Sequence, residues 1–114
     1  MLHISVTGLR KSGIAGMMPA SMIMHKLVAS AKSAPGCLHA SAYKDRDTVF
    51  LVTAWESKIH MNFLESSPAY EKLMAELGKG ADVLETHRFV NKHMPTRRSL
   101  RELWTSARHA MAAA

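Results

Sequence analysis

Thr48-Val49-Phe50-Leu51-Val52-Thr53-Ala54-Trp55 decides the fold. β-branched and aromatic residues dominate this stretch, so it reads as a strand. Its centre, Val49 to Val52, has no polar member. A strand that is apolar on successive residues is covered on both faces. Just upstream, Cys37 to Tyr43 reads as a second strand, and Lys44-Asp45-Arg46-Asp47 as the short charged turn between them. The pair is an antiparallel hairpin. Helices can roof one face of its sheet; the other face then needs a different cover, and the expectation is a second copy of the chain.

Working outward, Leu2 to Thr7 alternates apolar with polar, which marks a half-buried strand with Leu2, Ile4 and Val6 on one face and His3, Ser5 and Thr7 on the other. A glycine-bearing basic loop follows from Gly8 to Gly16. Pro19 suits the first turn of a helix, and Ala20, Ile23, Met24, Leu27, Val28 and Ala31 recur at helical spacing until Pro35-Gly36 stops it. Ser57 caps a short helix to about Leu64. Ser67-Pro68 opens another, ended by Gly78 and Gly80. Asp82 to Asn91 is a fourth strand, and after Pro95 a capping box at Ser99 opens a helix to about Met111.

The order is β-α-β-β-α-β with an extra C-terminal helix. This is the ferredoxin-like arrangement of the α+β class: a four-stranded antiparallel sheet with its helices on one face. One domain is expected over residues 1–94, with a basic helical tail over residues 95–114.

The 114 residues carry a formal net charge of +6, unevenly placed. Residues 1–44 hold five basic side chains and no acidic one, whereas residues 45–90 hold five basic and eight acidic. The basic tail reads as a solvated helix face, because no stacking pattern of aromatic residues or nucleic-acid motif accompanies it. Nucleic acid is therefore not an expected partner. No apolar run approaches the roughly 20 residues that cross a membrane, and no signal-peptide profile opens the chain. The single cysteine, Cys37, needs no oxidising compartment. A cytoplasmic protein is expected.

Three stretches carry a family likeness: Ala34-Pro35-Gly36-Cys37-Leu38, Trp55-Glu56-Ser57, and Phe63 through Ser67-Pro68-Ala69-Tyr70. Together they resemble the antibiotic biosynthesis monooxygenase superfamily of dimeric α+β barrel proteins, over about residues 2–91. The resemblance implies a homodimer with a pocket between sheet and helices in each subunit. Its members include cofactor-independent oxygenases of aromatic substrates, haem-degrading enzymes and stress-related proteins. The haem-degrading pattern is not met: Ser5 or Thr7 stands at its asparagine, Phe63 or Leu64 at its tryptophan, and Leu73 or Met74 at its axial histidine. Haem breakdown is disfavoured, and no cofactor is expected. Many other members have a histidine before the Ser-Pro turn, where this chain has Leu64, with His60 one turn earlier.

The expected activity is that of a cofactor-independent monooxygenase on a small planar or aromatic substrate. The alternative is a non-catalytic binding or stress-response dimer of the same fold. His39 and His87 are the candidate bases, since imidazole titrates near neutrality. Ser5, Thr7, Ser41, Tyr43, Trp55 and Phe63 are the candidate pocket lining, polar at one end and apolar at the other. No metal is expected, because the seven histidines show no tight ligand spacing. Cys37 is read as a structural thiol, with His39 two residues on and so on the same strand face.

Overall fold

The computed structural model describes residues 1–11 and 14–113, with side-chain surroundings for residues 1–11 and 20–110. The elements are β1 (Leu2–Arg10), α1 (Ile14–Ser33), β2 (Cys37–Asp45), β3 (Thr48–Trp55), α2 (Lys58–Glu65), α3 (Pro68–Gly78), β4 (Val83–Asn91) and α4 (Arg97–Ala113). The strands form one antiparallel sheet in the order β2-β3-β1-β4. This is the expected ferredoxin-like α+β fold.

Local chemistry sets most of the boundaries. Ser57 accepts from the His60 N–H and starts α2; Ser67 accepts from the Tyr70 N–H, with Pro68 at the first helical position of α3. Gly36 and Gly80 adopt φ of +80° and +71° where the chain turns out of α1 and α3, a conformation that side chains disfavour. Three boundaries differ from expectation. The strand β1 continues through Gly8 to Arg10, where a loop was expected, because Gly8 pairs with Phe50 and Glu85 on either side. The helix α1 begins five residues ahead of Pro19; the surroundings of Met17 and Met18 lie outside the described residues. Thr96 rather than Ser99 caps α4, its hydroxyl accepting from the Ser99 N–H at 3.2 Å.

Two apolar cores sandwich the sheet. On one face, Leu9, Leu51 and Trp55 meet Met24, Leu27 and Ala31 of α1, Met61 and Leu64 of α2, and Tyr70 and Leu77 of α3. On the other, Ile4, Val6, Phe50, Val52, Ala54 and Val83 meet Leu100 and Trp104 of α4. Phe50 and the Trp104 ring stand edge to face with centroids 5.4 Å apart. A Cβ on Gly8 would collide with that indole, so glycine lets α4 lie close to the sheet. Polar contacts fix the helix laterally: Trp104 Nε1 donates to the Glu85 carbonyl (3.1 Å), Arg108 pairs with Glu85 (3.1 Å), and Arg101 with Asp45 (3.4 Å).

This second core corrects two expectations. Among the described residues, the tail expected after residue 94 is not simply a solvated helix face, because Leu100 and Trp104 of α4 are buried on the sheet. Nor does the apolar face need a second copy for cover. α4 covers it within the same chain.

Candidate functional site

On the face beneath α1–α3, the register places Ser5 beside Arg88 and Thr7 beside Thr86 on neighbouring strands. Polar residues interrupt the apolar core here. The α2–α3 corner hangs over them: Ser67 Oγ bonds the Leu64 carbonyl at 2.7 Å, and the turn it fixes sends Glu65 and Tyr70 toward the sheet. Glu65 Oε2 accepts from Ser5 Oγ at 2.7 Å. Glu65 Oε1 accepts from two Arg88 nitrogens, at 2.9 and 2.8 Å. The Thr7 and Thr86 hydroxyls are 2.7 Å apart.

Thr7, Glu65, Tyr70, Glu71, Met74, Thr86 and Arg88 line a partly open cavity of about 190 Å³. Tyr70 is 5% exposed. Burial first, and the Glu65 carboxylate second, push its phenol well above the usual range, with Arg88 opposing. The hydroxyl is thus a standing donor at neutral pH. Arg88 is half-exposed and retains N–H groups not used on Glu65. An engineered cavity of roughly 150 Å³ takes up benzene, so this one has room for a single substituted ring. Among the described residues no cluster could hold a metal ion, and no helix is long and apolar enough to cross a membrane.

The structure divides the expected site residues. Ser5 lies in the polar cluster and Thr7 lines the cavity. Trp55 lies on the same face, but it is fully buried in the core and its Nε1 donates to Thr53 Oγ1 at 2.9 Å. Phe63 is not a pocket wall: it is 72% exposed on the outer side of α2, with Leu64 turned inward instead. His87 falls on the opposite face, because alternation along β4 turns Thr86 and Arg88 to the cavity and the residue between them away. It is buried beside Trp104, 3.2 Å from Glu85. His39 is exposed and bonds Ser41 Oγ at 2.9 Å. A register shift between Cys37 and His39 sends them to opposite faces, so neither the shared face expected for them nor a place for His39 at the cavity survives. Ser41 and Tyr43 share the face of His39. Cys37 has its thiol pushed up by burial, with the His39 carbonyl contact and Lys32 opposing.

Sequence reading missed Glu65, Tyr70, Thr86 and Arg88. The available signal was a buried corner, Glu65 to Tyr70, preceding a strand whose Thr86 and Arg88 share one parity.

The antibiotic biosynthesis monooxygenase family model matches residues 24–76, from α1 to the end of α3. Over that stretch, a little under half of the chain, the sequence is similar to the antibiotic biosynthesis monooxygenase family. No curated protein matches it in sequence. Among solved structures it is similar to Rv0793 from Mycobacterium tuberculosis, at 11% identity over 84% of this chain and 100% of that one, with a TM-score of 0.73. SnoaB, a cofactor-independent oxygenase from Streptomyces nogalater, aligns at 11% identity over 82% of this chain and 95% of that one, with a TM-score of 0.69. A conserved protein from Methanosarcina mazei aligns at 14% identity over 81% and 95%, with a TM-score of 0.70. At such identities the structural likeness establishes the fold, not the reaction.

Proposed function

We propose that this protein is a member of the antibiotic biosynthesis monooxygenase superfamily that binds a small single-ring phenol or aromatic acid beneath the α2–α3 corner and oxygenates it without a cofactor. The observation that supports this reading is Tyr70 beside the Glu65–Arg88 pair, all three lining a cavity of about 190 Å³. Tyr70 donates to the oxygen of the bound ring and Arg88 compensates its charge. Glu65 accepts the phenolic proton. The resulting phenolate is electron-rich enough to reduce dioxygen itself: one oxygen atom enters the ring to give a quinone, and the other leaves as water with two hydrogens from the substrate. SnoaB's description as a cofactor-independent oxygenase supports this class of chemistry on this fold.

A non-catalytic binding protein is the second reading. It is favoured by the three hydrogen bonds already held by Glu65, which compete with a role as base. One pair of experiments separates the two. Simple phenols and benzoates are screened by thermal shift, since a ligand that binds the folded state raises its melting point. Oxygen uptake is then followed with those that bind. Binding lost in Tyr70→Phe, together with uptake lost in Glu65→Gln, supports the oxygenase. Binding without uptake supports the binding protein, and no binding by any single-ring compound refutes both.

A further inference from the structure

A second concavity lies elsewhere on the molecule, between α1 and the free edge of the sheet. It has a volume of about 620 Å³. Met24 and Val28 of α1 form one wall, and Ala40, Ala42 and Val49 lie on the sheet side. Two lysines and a histidine line it: Lys32 and His25 from the helix and Lys44 from β2. All three side chains are exposed and, among the described residues, none belongs to an ion pair. No acidic residue lines the groove.

β2 is the outer strand of the sheet. Five consecutive residues, Ala40 to Lys44, line the groove, although their side chains alternate between the two faces. A continuous run of this kind is contributed by the edge of the strand, where half of the backbone N–H and C=O groups have no ladder partner. That edge discriminates between occupants. An apolar tail laid along it strips water from those groups, at about 1–3 kcal/mol for each one left unpaired. An extended peptide replaces the water with ladder hydrogen bonds and places alternate side chains against Met24 and Val28. Five residues of β2 span about 13 Å at roughly 3.3 Å per residue, which matches a short peptide segment.

Charge narrows the choice further. Lys44 is the usual guard against indiscriminate edge pairing. With Lys32 it repels basic strands and attracts acidic ones. A second copy brings the same two lysines to this edge and no acidic groove residue to meet them, so a copy is the poorer partner.

We propose that the groove between α1 and β2 is a docking site for an extended acidic peptide, added as a fifth strand to the sheet. This site is separate from the cavity under the α2–α3 corner, and it stands or falls independently.

The test uses the full chain, labelled for amide NMR, and the blocked peptide Val-Glu-Val-Glu-Val. Three further probes accompany it: the same peptide with Lys for Glu, the same peptide N-methylated at alternate residues, and decanoate. The expected result is saturable binding of the acidic peptide, with amide shifts confined to residues 40–44 and the facing side of α1. Affinity should fall at least tenfold in the Lys peptide, in the N-methylated peptide and in the double variant Lys32→Ala/Lys44→Ala. The last should keep its melting point, because both lysines are exposed. Equal binding of the Lys or N-methylated peptide overturns the proposal. So does tight binding of decanoate alone, which would make the groove a site for an amphiphile, and so does the absence of saturation at millimolar peptide.

Discussion

Replacing Trp104 by alanine is the sharpest perturbation of this structure. The indole is 6% exposed and rests on Phe50, with Gly8 leaving it room. Truncating a buried tryptophan costs about 3–5 kcal/mol, and here it also takes the Nε1 donor from the Glu85 carbonyl. For a domain near this size each kcal/mol is worth roughly 4–8 °C, so the melting point should fall by about 12 °C or more. Folded domains hold only about 5–15 kcal/mol in total, so the loss is a large share of what keeps the protein folded. A second consequence follows from the uncovered surface. Ile4, Val6, Phe50 and Val52 lose part of their cover, and exposed apolar area of this kind drives association. Differential scanning calorimetry and light scattering over a concentration series are the assays. Trp104→Phe, which keeps an aromatic ring against Phe50, should fall less and stay at the wild-type mass. A loss below about 1 kcal/mol in Trp104→Ala, with mass unchanged at every concentration, refutes the placement of α4 on the sheet.

Three further outcomes are expected. Gly36→Ala places a Cβ on a residue with φ of +80° and against the His60 ring; it should cost about 1–3 kcal/mol in denaturant midpoint, and a neutral result contradicts the turn described. Both tyrosines, Tyr43 and Tyr70, have phenols raised by burial. Their contribution to stability is fully present below the unfolded value of about 10 and is lost as pH rises through the higher folded values; phenolate absorbance of the native protein should therefore appear at higher pH than in the urea-unfolded chain, and coincident curves contradict it. The Cys37 thiol, raised by burial, should react more slowly with an aromatic disulfide at pH 8 than it does in the unfolded chain.

Much of the fold was legible because its signals are local. Ser57, Ser67-Pro68 and Gly80 each mark a helix boundary through backbone chemistry within a few residues. The apolar run Val49 to Val52 announced a sheet covered on both faces. What it could not announce was the identity of the cover. Leu100 and Trp104 sit some fifty residues away in sequence, and at the sequence level α4 reads as a charged helix. The candidate site was less legible, for a geometric reason. Side-chain direction on a strand depends on register, and the shift between Cys37 and His39 reverses the faces of His39, Ser41 and Tyr43. His87 attracted interest as a near-neutral base, but the face it occupies follows from its pairing opposite Val6. Ser5 and Thr7 were recognised from alternation alone, because β1 pairs on both sides without interruption.

The central claim is that a small aromatic acid sits against Tyr70 and Arg88, under the α2–α3 corner. Titrating the labelled protein with 4-hydroxybenzoate and following its backbone amides tests this directly. The account predicts saturable shifts clustered at Thr7, Glu65, Tyr70, Thr86 and Arg88, abolished in Tyr70→Phe. Shifts centred on His39 and His87, on the opposite face of the sheet, would contradict it.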